Sequence, residues 1–220
     1  MSRPLLLLIL ILLPVAQGLA QTRWTAEFNV GLPWSVPSPV WIAQKGEPGL
    51  TVQARWSAQA FELPLNWMWR IGRWNGNRGW EFETIHHKMV MINRPEEIQW
   101  FGITHGFNTL TINRAWESGH WVIRAGAGGV LAHPESTIRH QAFNEQSGLF
   151  NLGYYLTGPL LLGSVARPVR LFRFLQLNLE GTFTAGYAKV PIAGGTARTI
   201  AVAFHLHAGI GVAVGGKSDE

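Results

Sequence analysis

Residues 171 to 185, LFRFLQLNLEGTFTA, alternate apolar and polar side chains almost one for one. Leu175, Leu177, Leu179 and Phe183 point one way in an extended chain, and Gln176, Asn178, Glu180 and Thr182 point the other. A strand of this kind has one greasy face and one hydrogen-bonding face. In a soluble sandwich the polar face meets water; in an outer-membrane barrel the apolar face meets lipid and the polar face fills the lumen. The rest of the chain decides between them.

Residues 1–20 read as a secretory signal peptide: Arg3, an apolar run from Leu5 to Val15, then Gly18-Leu19-Ala20, with cleavage expected after Ala20. The competing reading, a retained anchor, needs a run that is barely long enough to span. The chain has no Cys, so no disulfide holds this exported protein, and a closed barrel is one way to supply the missing rigidity. Past the signal no apolar run has the length of a spanning helix, so any insertion is by strands. Only 14% of residues are charged, and 18 Lys and Arg face 13 Asp and Glu for a net +5. An exported destination and the lack of a dense basic run exclude nucleic acid, which leaves phosphate-rich lipid headgroups as the natural anionic neighbour. The 11 Trp suit the aromatic girdles that flank the apolar band of a barrel, and Trp24, Trp56, Trp74, Trp80, Trp100, Trp116 and Trp121 all fall near expected strand ends.

Alternation predicts strands over 49–57, 64–73, 80–91, 98–113, 119–130, 152–162, 171–187 and 198–215. Asn75-Gly76-Asn77 marks a tight hairpin, Gly102 or Gly106 a bulge, and Pro159 a bulge or strand end. Short connections at 74–78, 114–118 and 166–170 alternate with longer ones at 91–97, 131–149 and 188–197, as periplasmic turns alternate with external loops. The expectation is an all-β, antiparallel up-and-down transmembrane β-barrel over 49–215, with a tail at 216–220. It has eight strands, or ten if residues 21–48 add two: Trp24, Ala26, Phe28 and Val30 alternate with Thr25, Glu27 and Asn29, and 39–43 extends after a Pro-rich turn.

With a signal peptide, no Cys, dyad alternation and aromatic girdles, the chain resembles the small bacterial outer-membrane β-barrels of the OmpA-like superfamily, and HHKMVMINRPEEIQWFGITHGFNTLTINRAW is similar to a block of uncharacterised exported proteobacterial proteins. The resemblance implies the outer membrane of a Gram-negative cell, with membrane lipid, lipopolysaccharide and the barrel-assembly machinery as partners. That machinery reads a terminal aromatic in such barrels, whereas this sequence closes on GVAVGGKSDE. Lipid A deacylases carry a Ser two residues after their catalytic His; here His105 is followed by Gly106, Phe107 and Asn108, so that activity is not implied.

The inward polar residues give two candidate sites. Arg55, Arg70 and Arg124 against Glu81, Glu83 and Glu180 form an expected lumen network, because charges in a narrow barrel must pair. His205 and His207, two apart on one strand face, have a spacing that can chelate a metal, with His87, His105 or Glu83 as a third ligand or general base. His-x-His arises often by chance, so the expectation is a hydrogen-bonded lumen with no cofactor. The functional reading is a structural, adhesive or envelope-binding barrel. The alternatives are a membrane enzyme modifying lipid or lipopolysaccharide through His and Glu, and a soluble periplasmic lipocalin-like carrier, which needs the reverse polarity.

Overall fold

The computed structural model describes residues 22–143 and 147–215, except for the side chains of residues 104 and 105, so the expected signal peptide and the tail 216–220 lie outside the described residues. Twelve strands follow in chain order: β1 (Thr22–Ser35), β2 (Ser38–Gln44), β3 (Leu50–Ala54), β4 (Trp56–Ser57), β5 (Trp67–Asn75), β6 (Arg78–Met91), β7 (Ile98–Ser118), β8 (Trp121–Ile138), β9 (Gln141–Phe143), β10 (Tyr155–Arg170), β11 (Leu175–Ile192) and β12 (Gly195–Gly215). Eight of them, β1-β5-β6-β7-β8-β10-β11-β12, pair antiparallel in that order, and β1 pairs back onto β12, closing the ring.

The ring is not composed as the sequence suggests. Thr22–Ser35 is a full barrel strand, paired to β12 from Arg23↔Gly215 to Ser35↔Ala203, whereas the expected strand 49–57 stands outside the ring. β2 continues the line of β1 along the upper part of β12, and β3 pairs with β2 while β4 pairs with β6. The chain then leaves the wall over residues 58–66 and returns as β5. Pro33 fits because β5 pairs β1 only as far as Val30. The amides of Gly31 and Val36 donate to Asn66 and Val202 on opposite sides, so the missing N–H of Pro33 faces the side from which β5 has departed.

Outward side chains on β1 run Trp24, Ala26, Phe28, Val30, Leu32, Trp34, and Trp34 stacks on Phe204 at 5.9 Å. The two Trp lie about 33 Å apart along the strand, which a tilt of about 40° turns into roughly 25 Å of bilayer, the height of an outer-membrane apolar band. Across β11 and β12 the same rows read Leu177/Ile210, Leu179/Ala208 and Phe183/Phe204.

Above that band the polarity of the wall inverts without a change of register. On β11 the outward series reaches Lys189 and Pro191, while the inward series passes from Asn178, Glu180, Thr182 and Thr184 to Ala188, Val190 and Ile192. Val40, Ile42, Ala54, Met89, Met91, Ile98, Phe101, Ile103, Phe107 and Ile138 complete an apolar core inside the projecting end. This is why the linkers expected at 131–149 and 188–197 are largely strand: β8 runs to Ile138, and β11 turns into β12 through Ala193 and Gly194 alone. It also reverses β3, where Val52 and Ala54 face the core and Gln53 is exposed. Bulges shift register between Ile103 and Phe107, where Gly106 has φ 128°, and between Leu156 and Gly158. The second bulge turns Leu160 and Leu162 inward and leaves Leu156 and Leu161 out.

Candidate functional site

The lumen is built in layers. At the end carrying residues 22 and 215, Arg23 pairs with Glu117 and its guanidinium lies over the Trp74 ring at 5.0 Å. Beside them is a cavity of about 20 Å³, lined in part by Thr25, Glu27 and Arg124, with room for a single water.

The next layer is ionic. Arg70, fully buried on β5, donates from Nη1 to Glu27 Oε2 at 2.7 Å, from Nε to Glu83 Oε2 at 2.9 Å and from Nη2 to Glu180 Oε1 at 2.7 Å. Arg124 on β8 donates from Nε to Glu81 Oε2 at 2.6 Å and lies 3.4 Å from Glu180. Asn113 caps Glu83 at 2.6 Å. Two guanidiniums thus bind four carboxylates from β1, β6 and β11. The network draws on five strands of the ring, β1, β5, β6, β8 and β11, and each carboxylate lies within ion-pair distance of a guanidinium, as buried charges require.

Of the six residues expected in this network, the structure brings together Arg70, Arg124, Glu81, Glu83 and Glu180. Arg55 is elsewhere. It is exposed between β3 and β4, above the lipid band, where its amide donates to Asn93 Oδ1 at 2.6 Å. It follows the inverted polarity of that region, in which apolar residues turn inward and charged ones outward. Glu27 was missing from the expectation although Thr25, Glu27 and Asn29 alternate plainly in the sequence; the obstacle was the proline-rich stretch after them, which hid β1 as a ring member.

A histidine layer lies above the ions. His205 and His207 are buried, and their rings stack nearly parallel, with centroids 5.4 Å apart and 11° between planes. His207 Nδ1 is 3.4 Å from Thr182 Oγ1, and His205 Nε2 is 3.3 Å from Thr184 Oγ1. His87 sits edge-on to His205 at 5.0 Å and against Phe107 at 5.1 Å. Stacked rings with nitrogens directed at separate threonines do not converge on a common point, and among the described residues no group of three His or Glu side chains could hold a metal ion. Glu83 belongs to the ionic layer, bound to Arg70 and Asn113. His105 lies in β7, but its side chain is outside the described residues. His86, next to His87 in sequence, has its ring against Trp67 at 5.2 Å and Asn108 at 2.8 Å.

The apolar core closes the lumen above the histidines, so charge, aromatic nitrogen and hydrocarbon fill it in turn. No protein-family model and no curated protein matches this sequence. Solved structures do. The solid-state NMR structure of outer membrane protein AlkL in lipid bilayers superposes with TM-score 0.50 at 13% identity, covering 92% of this chain and 95% of AlkL. OprG from Pseudomonas aeruginosa gives 0.48 at 10% identity over 91% of this chain and 99% of its own, and Ail from Yersinia pestis 0.41 at 6% over 88% and 99%. The chain has the fold of a small outer-membrane β-barrel. Its place is the outer membrane, since the outward apolar band needs a bilayer and closed antiparallel barrels of this fold are how that membrane is spanned by strands.

Proposed function

We propose that this barrel is a sealed, non-conducting protein with a structural and envelope-binding role. It presents a β-structured head above the outer leaflet and contacts lipid and lipopolysaccharide along its outer wall, after insertion by the barrel-assembly machinery. The observation that carries this reading is the filling of the lumen: an ion network, three stacked or abutting histidines and an apolar core succeed one another along the axis. A pore needs a continuous wet path, and a lipocalin-like carrier needs an empty apolar cavity. An enzyme working through His and Glu needs those groups together and open to substrate, whereas here they are buried in different layers.

Conductance across planar bilayers tests the reading. The purified barrel is expected to add no stepwise current and to leave vesicles impermeable to small sugars. Discrete channel openings, absent when the protein is denatured, would overturn it.

A further inference from the structure

The outer wall carries a feature that the sealed lumen does not explain. Trp24 on β1, Arg73 on β5, Trp80 on β6 and Arg114 on β7 are direct cross-strand partners in sequence, Trp24↔Arg73, Arg73↔Trp80 and Trp80↔Arg114. All four face outward, in the girdle nearest residues 22 and 215 and the turns at 75–78 and 118–121, which is the periplasmic side in the orientation proposed above. The Arg73 guanidinium lies over the Trp24 ring at 6.0 Å and that of Arg114 over Trp80 at 5.2 Å. A guanidinium held by its face on an indole keeps its edge N–H groups free to donate. Arg114 spends one of these on the Gly79 carbonyl at 3.3 Å, and among the described residues neither arginine has a carboxylate within ion-pair distance.

The rows on either side say what such donors would hold. Toward the membrane centre the next row is Ala26, Ile71, Phe82, Ile112, and the one after it Phe28, Trp69, Thr84, Leu110. Toward the turns the row is Thr22, Asn75, Arg78, Trp116. An anion seated at the ladder therefore has hydrocarbon on one side and a third arginine on the other. No acidic side chain in these rows could receive the ammonium of a zwitterionic headgroup.

We propose that the Trp24–Arg73–Trp80–Arg114 ladder binds the phosphodiester headgroup of one anionic phospholipid of the periplasmic leaflet. The phosphate sits over Trp80 between the two guanidiniums, with the acyl chains along the apolar rows. This deepens the envelope-binding reading and rests on its membrane orientation, but it is read out separately: a conducting barrel with an occupied ladder and a sealed barrel with an empty one are distinct failures. Arg167 over Trp121, at 5.6 Å on β10 and β8, supplies an internal control, a single guanidinium–indole pair.

The test is native mass spectrometry of the barrel in neutral detergent titrated with phosphatidylglycerol or phosphatidylcholine. The wild type is expected to retain one phosphatidylglycerol in preference to phosphatidylcholine. R73Q and R114Q should each weaken that retention about ten-fold, as loss of a charge-assisted hydrogen bond to phosphate does. R73K/R114K should fall between, and R167Q should match the wild type. All variants are first checked for the heat-modifiable gel mobility of a folded barrel, and the lysine pair serves if the glutamines fail to fold. Equal retention of the two lipids, retention unchanged in R73Q/R114Q, an equal loss in R167Q, or displacement of the lipid by millimolar inorganic phosphate would each overturn the proposal.

Discussion

Replacing Arg70 by Gln separates the ionic layer from everything else in the barrel. The guanidinium is wholly buried, with Glu27, Glu83 and Glu180 at 2.7, 2.9 and 2.7 Å. Gln brings no charge to set against these three carboxylates, and Arg124 alone then faces four. Breaking a buried pair by deleting one partner costs about 3 to 5 kcal/mol, because the remaining charge is stranded in a medium that solvates it poorly. The loss belongs at the upper end of that range, since one substitution strands several charges. Adding Glu180→Gln removes one of them, and the double variant should recover about 1 to 3 kcal/mol of the deficit, a coupling of the size seen for residues sharing a network. Arg55→Gln, on an exposed residue with no ionic partner among the described residues, should be close to silent. Guanidinium titration of the wild type, the three single variants Arg70→Gln, Glu180→Gln and Arg55→Gln, and the double variant, refolded into vesicles and followed by heat-modifiable mobility, gives the stabilities. If Arg70→Gln is as mild as Arg55→Gln, or if the Arg70 and Glu180 losses simply add, the buried-network reasoning is wrong.

Leu179 lies mid-band and 55% exposed to the outside, so Leu179→Arg should cost about 2 to 4 kcal/mol in the same titration, whereas Arg at Val214 near the edge should cost little. A Cβ on Gly31 would collide with the His207 ring opposite it; Gly31→Ala should therefore destabilise the barrel, and His207→Ala in the same chain should relieve most of the loss. Val190→Asp places a charge in the apolar core of the head without touching the lipid band. Limited proteolysis should then cut the projecting strands while the membrane-embedded fragment keeps its heat-modifiable mobility.

The strands that cross lipid were legible because two solvents impose opposite demands on alternate residues; β11 shows this from Leu177 to Phe183. β1 was half legible. Trp24 to Val30 alternate, but Pro33, Pro37 and Pro39 interrupt the pattern, and only the departure of β5 from the wall explains how a proline sits there. The head was misread for a physical reason: alternation reports which face is apolar, not which side that face is on. Val52 and Ala54 look like lipid-facing residues until the strand is known to lie above the bilayer. Arg55 entered the candidate site by the same error, and Glu27 was left out because its strand was not yet in the ring. The stacking of His205 on His207 depends on ring orientation, which spacing in the sequence does not encode.

All 18 residues of β11 are paired with β12, from Leu175↔Val212 in the lower wall to Ile192↔Gly195 at the tip. Head and membrane anchor are thus one beam without a hinge. A pull on the Ala193–Gly194 tip, directed along the strands, is carried as shear by the whole row of backbone hydrogen bonds at once. In the orientation proposed, with the head above the outer leaflet, a load on the head tugs directly on the lipid-embedded wall, and the membrane around it takes the strain.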